Sequence, residues 1–190
     1  TDVLGARAHV YDPATFDLVA EHLPDGQVLA RRYDRYGRPA GVALDDAYQV
    51  TYDYDDASRF AVITSAVNGA TSTVKYAYLA QSDLLSGWTV RGPSFRTILE
   101  CSRFYEASRD MVSTVRVARA GILLAQYDYV NDRLGRRVSR VDRGANPPGG
   151  PLAVTNAFGY NARSELDAAV MGTNQYGYQY DAIGNRLAAV

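Results

Sequence analysis

Apolar and polar positions alternate with a period of two along most of the chain. In residues 48–55, YQVTYDYD, Tyr48, Val50, Tyr52 and Tyr54 fall on one side, opposite Gln49, Thr51, Asp53 and Asp55. Residues 74–79 repeat the arrangement with Val74, Tyr76 and Tyr78, residues 126–130 with Tyr127 and Tyr129, and the C-terminal stretch with Tyr176, Tyr178 and Tyr180. Successive side chains of an extended strand point to opposite faces, so this spacing predicts strands with one tyrosine-bearing face. In residues 114–126 the alternation of Val115, Arg116 and Val117 passes into an apolar run, as expected where a strand becomes buried. Residues 13–23 also offer a helical spacing through Phe16, Val19, Ala20 and Leu23, in competition with a hairpin.

The tyrosine runs end in a recurring phrase. Tyr33, Tyr54, Tyr78, Tyr160 and Tyr180 are followed four residues later by Gly37, Ser58, Ser82, Ser164 and Gly184. Directly after the tyrosines stand Asp34, Asp55, Leu79, Asn161 and Asp181. Asp and Asn hydrogen-bond the backbone two residues on, and Gly adopts a left-handed conformation without a Cβ clash, so each phrase predicts a turn that closes one hairpin. Residues 34–37, 55–58, 79–82, 161–164 and 181–184 are therefore expected in turns, the five tyrosines at strand ends, and Gly37 and Gly184 at positive φ. Weaker copies stand at 10–19, at 104–112 with a shortened turn, and at 127–138 with two extra residues before Gly135. The phrase recurs at 21, 24 and 20 residues (Tyr33 to Tyr54, Tyr54 to Tyr78, Tyr160 to Tyr180), the kind of period that marks a repeat array. Residues 1–190 thus read as a single all-β array of about eight hairpin units and about 14–18 strands. A Pro/Gly-rich loop at 142–153 interrupts it.

Composition narrows the function classes. A net charge of −1 gives no electrostatic footprint for a nucleic acid or an anionic membrane. No apolar run approaches the roughly 18 residues of a membrane-spanning helix. Cys101 is the single cysteine, and with His9 and His22 it forms no metal-ligand spacing, so no metal or cofactor is expected. The turn aspartates are explained by the turns rather than as a paired acid and base, and no enzyme is expected. The arginines are interleaved with Asp and Glu and read as a solvated mixed-charge face. Tyrosine, at 15 of 190 residues, is the outlier, and a start at Thr1 rather than Met reads as a piece of a longer chain.

The phrases YDRYGR, YDYDDASRF, FGYNARSEL and YQYDAIGNRL resemble the repeats of the YD-repeat, or rearrangement-hotspot (RHS), family. That family includes bacterial polymorphic toxins, shell components of insecticidal toxin complexes, and teneurins. Tyr180, Asp181, Gly184, Arg186 and Leu187 match its Tyr-Asp-x-x-Gly-Arg-Leu signature with Asn185 inserted. Tyr33, Asp34, Gly37 and Arg38 match its first half, and Tyr54, Asp55, Arg59 and Tyr160 belong to further copies. The resemblance implies a curled strip of antiparallel hairpins, a segment of a spiral β-shell that encloses a toxin or other polypeptide cargo. It implies secretion or a cell-surface location, with neighbouring repeats of the shell and the cargo as partners. Strand edges left open in an isolated segment imply self-association. A second reading is a carbohydrate-binding or adhesion module, in which Tyr52, Tyr54, Tyr76, Tyr78, Tyr127 and Tyr129 stack on surface glycans.

Overall fold

The computed structural model describes residues 5–144 and 153–189, and all regular structure among them is β. The strands are β1 (Ala8–Tyr11), β2 (Leu18–His22), β3 (Val28–Tyr33), β4 (Pro39–Leu44), β5 (Tyr48–Tyr54), β6 (Phe60–Val67), β7 (Ala70–Tyr78) and β8 (Leu85–Arg91). They continue as β9 (Thr97–Glu106), β10 (Arg109–Arg119), β11 (Ile122–Asn131), β12 (Arg137–Gly144), β13 (Ala153–Tyr160), β14 (Leu166–Met171), β15 (Asn174–Tyr180) and β16 (Arg186–Ala189). Each strand bonds to its neighbours in chain order, without a crossover. The period-two pattern is thereby realised as consecutive antiparallel hairpins. Residues 13–23 are not helical: Pro13–Thr15 form a turn and Leu18–His22 the return strand. A helix there would leave the partner edges of β1 and β3 unfilled, which is the tertiary demand that overrides the local spacing. Of the Pro/Gly-rich stretch, residues 142–144 close β12 and Ala153 opens β13, while 145–152 lie outside the described residues.

Contacts divide the chain into two units, Thr1–Asp83 with Trp88–Ile98, and Leu84–Gly87 with Leu99–Val190. In the first, register sets Tyr52, Ile63 and Val74 side by side across β5, β6 and β7. The opposite face carries Gly41, Thr51, Thr64 and Thr73 in one row. In the second, Arg103, Val115, Tyr127 and Asp142 form a row across β9 to β12, and Ser102, Arg116, Gln126 and Arg143 a row on the other face. Among the described residues neither unit has a second layer covering these faces. Among the described residues the buried apolar ones are Val50, Cys101, Ala118 and Ala169, and no large side chain is fully buried. The chain exposes 12848 Å², where a globular monomer of this mass exposes roughly 9,000 Å². Stability therefore rests on the ladders and on the contacts between hairpins, not on a core.

Candidate functional site

The recurrent structure lies in the loops and in what joins one hairpin to the next. Loops 23–27, 34–38, 55–59, 92–96, 132–136, 161–165 and 181–185 share one geometry. The first residue's N–H donates to the fifth residue's carbonyl, and the fourth residue's N–H donates to the first residue's carbonyl. The fourth residue is left-handed in all seven, with φ from 57° at Phe95 to 91° at Gly184. The positive φ expected at Gly37 and Gly184 is present, and all five expected windows fall in turns, with the five tyrosines ending their strands. In the window 79–82 the left-handed residue is Gln81 rather than Ser82. Ser58 and Ser164 hold φ of 63° and 64°, at a cost of about 1–2 kcal/mol for a side chain there, against about 0.5–1 kcal/mol of extra chain entropy lost by glycine. The difference favours glycine. Ser58→Gly and Ser164→Gly are each expected to raise unfolding stability by about 0.5–1 kcal/mol, read from the denaturation midpoint.

The aspartate of each phrase closes its own loop. Asp34 Oδ1 accepts from the N–H groups of Tyr36 (2.8 Å) and Arg38 (3.0 Å), while Oδ2 meets Arg38 Nε at 2.7 Å and Nη2 at 2.6 Å. Asp55 holds Arg59 in the same way at 2.8 Å, and Asp132 holds Arg136 Nε at 2.7 Å. These arginines are half-buried in clamps, not a solvated face, because a planar guanidinium matches a carboxylate at two points. Where arginine is absent, Asn161 donates to Glu165 and Asn185 to Asp181. Hydrogen bonds from Arg59 hold the Asp55 carboxyl below its ordinary value, and those from Asn185 do the same for Asp181. A depressed folded-state pKa contributes stability above the ordinary carboxylate value, about 3.9, that is lost as pH falls through the depressed one. Far-UV circular dichroism is accordingly expected to stay flat from neutral pH to about 4 and to fall below that.

The tyrosine of each phrase serves a different joint. A register shift sits at Tyr33, Tyr54, Tyr160 and Tyr180, immediately before each loop. Such bulges re-aim a side chain. Here the tyrosine swings back to the previous hairpin. Its hydroxyl donates to the carbonyl of the residue that follows the previous loop: Tyr33 to Leu18, Tyr54 to Pro39, Tyr78 to Phe60, Tyr105 to Leu85, Tyr160 to Arg137 and Tyr180 to Leu166. At the remaining described joint Asn131 occupies the tyrosine position and donates to Glu106 (2.9 Å). The phrase at 127–138 is therefore an ordinary copy, Asn131-Asp132-Arg133-Leu134-Gly135-Arg136, and has no extra residues. Tyr127 and Tyr129 are not its first position.

Arginines reach the other way, from each loop to the next. Arg38 lies over the Tyr54 ring (4.1 Å) and Arg59 over Tyr78 (4.2 Å), with Arg59 also donating to the Ser82 carbonyl. Arg109 donates to the Asp132 carbonyl (2.6 Å), Arg136 covers Tyr160 and reaches Ser164 Oγ (3.1 Å), and Arg163 donates to the carbonyls of Asp181 and Ala182. Arg186, displaced one position by Asn185, lies over Tyr178 of its own hairpin. Of the tyrosines read as a sugar platform, Tyr54, Tyr78, Tyr127 and Tyr129 each carry a guanidinium on one ring face. Tyr52 meets Phe60 edge-on, and Tyr76 lies half-buried on the same face of β7 as Val74. Among the described residues no group of three His, Cys, Asp or Glu side chains could hold a metal ion, and no helix is long and apolar enough to cross a membrane.

These features define a class: an all-β array of antiparallel hairpins laid down in chain order and coupled joint by joint through the tyrosine-aspartate phrase. The same fold is found in crystal structures of TcdB2-TccC3-Cdc42, with a TM-score of 0.71 and 16% identity, and of TcdB2-TccC3-TEV, with 0.71 and 15%. TcdB2-TccC3 without its hypervariable C-terminal region gives 0.68 and 18%. Each match covers 97% of this chain and 10% of the other, so the chain spans about a tenth of the length of the structures it resembles. Those chains are RHS/YD-repeat shell proteins, and the fold implied by the tyrosine-aspartate phrases is the fold of this chain. No protein-family model and no curated protein matches the sequence.

Proposed function

We propose that this chain is a length of wall in a β-shell that encloses a polypeptide cargo, with a role in containment rather than catalysis. One observation carries the reading: all seven described joints couple each hairpin only to its neighbours in chain order, and among the described residues no layer covers either sheet face. Such an array gains nothing from folding back on itself and can be lengthened without altering any joint. The turn carboxylates are engaged in their own loops, which leaves them to structure rather than to acid–base work. The fold likeness to toxin-complex shells supports a place outside the producing cell, beside neighbouring repeats of the same wall. Limited proteolysis of the longer polypeptide that this reading requires is the test. A segment enclosed by the array should resist protease until the wall is loosened by Gly87→Ala. Equal cleavage with and without that substitution would show that nothing is enclosed.

A further inference from the structure

Loop 12–17 is one more copy of the phrase loop, lengthened by a residue. The Asp12 N–H donates to the Asp17 carbonyl (2.9 Å) and the Phe16 N–H to the Asp12 carbonyl (2.8 Å). Phe16, at φ 62°, takes the left-handed position. The residue that closes this loop is therefore Asp17, in the place that Arg38, Arg59 and Arg136 hold in theirs. Each of those arginines clamps the aspartate of its own loop and lies over the tyrosine of the next, Tyr54, Tyr78 and Tyr160. The joint between loop 12–17 and Tyr33 keeps the latch, from the Tyr33 hydroxyl to the Leu18 carbonyl. It has a carboxylate where the guanidinium stands in the other three.

That exchange leaves room. A cavity of about 380 Å³ opens at this joint, with Asp12, Asp17, Tyr33 and Asp34 in its lining, a volume within the range of small-ligand sites. Two arginines on its wall are turned elsewhere: Arg31 donates to Glu21, and Arg35 lies over the Tyr36 ring and donates to its hydroxyl. Asp34 is held by Arg38, and Asp12 Oδ1 accepts from the N–H groups of Ala14 and Thr15. Among the described residues no cation pairs with the Asp17 carboxylate and no guanidinium covers the Tyr33 ring.

We propose that this cavity is a socket for the guanidinium of an arginine side chain carried by another stretch of polypeptide. The planar group lies on the Tyr33 ring and pairs with Asp17, with Asp12 beside it, so the contacts of the other joints are made by an arginine supplied from outside. Lysine fits less well, because an ammonium is a compact, strongly hydrated charge without a flat face to stack. The socket needs no enclosed cargo, so failure of the protease test leaves it standing.

The test is an NMR titration of the chain with a blocked glycine-arginine-glycine tripeptide, followed at the signals of Thr15, Asp17 and Tyr33. A Kd of about 1 mM is expected, as befits a ligand of this size. Citrulline in place of arginine keeps the shape without the charge and is expected to bind at least about tenfold more weakly. Asp17→Asn should weaken binding about fivefold. Asp17→Arg fills the socket from within, so it should abolish binding and raise the melting midpoint by about 2–4 °C. The proposal is overturned if the citrulline peptide binds as well as the arginine one, or if the shifts centre away from Tyr33. It is equally overturned if Asp17→Asn binds unchanged, if Asp17→Arg still binds, or if Asp17→Arg lowers the midpoint.

Discussion

Gly87→Ala is expected to destabilise the chain by about 2–3 kcal/mol. A Cβ on Gly87 would fall well inside contact distance of the Cys101 carbonyl oxygen, and backbone cannot swing away as a flexible side chain can. Gly41 faces the same obstacle, with a Cβ 2.6 Å from the Val50 carbonyl oxygen. Both glycines lie against buried residues, Val50 and Cys101, in a sheet that buries few others. Gly177→Ala is the control: the same chemical change, in strand β15, with nothing within 4 Å of the added carbon. It is expected to be neutral or slightly stabilising, because alanine reduces the entropy of the unfolded chain. Denaturant unfolding of the three variants decides the matter, and equal midpoints would mean that close strand approach is not what these glycines permit.

The second large effect belongs to the tyrosine hydroxyls. Tyr33→Phe, Tyr160→Phe and Tyr180→Phe each remove one hydrogen bond to the previous hairpin and leave the ring in place, at a cost of about 1 kcal/mol. Each joint has its own donor and acceptor, so the triple variant should lose about 3 kcal/mol. Tyr52→Phe and Tyr76→Phe remove hydroxyls without a hydrogen-bond partner among the described residues, and should be close to neutral. A tyrosine acting only as a cross-strand aromatic would tolerate the change at all five positions. A uniform series of midpoints would therefore return the latches to the status of ladder residues.

The period-two tyrosines made the strands legible, and the Asp-to-Gly spacing made the loops legible, because both patterns are local. The joints were not legible in the same way. A tyrosine that latches onto another hairpin is indistinguishable, within its own repeat, from one that packs across a strand pair. Aligning the copies on tyrosine misplaced the phrase at 127–138, since Asn131 fills that position, whereas alignment on Asp132 and Gly135 recovers it. Loop 92–96 carries the turn formers Gly92 and Pro93 but not the tyrosine-aspartate phrase. Gly92 stands where the aspartate would be and Phe95 takes the left-handed position, so backbone bonds alone preserve the loop. The half-buried arginines escaped for a related reason: the sequence shows Asp and Arg four apart, but not that the guanidinium continues onto the next tyrosine.

The backward reach of the tyrosines bears on the order in which the protein is made. Every latch joins a hydroxyl to a carbonyl only 14 to 23 residues earlier in the chain, so the acceptor always leaves the ribosome before the donor. At about 5–20 residues per second the interval is roughly one to five seconds. Each new hairpin meets a finished neighbour and never has to wait for a distant one, which keeps loop-closure costs small and unpaired edges few. A ribosome stalled partway through would hold a chain whose completed joints are all closed, with a single unlatched hairpin at the growing end.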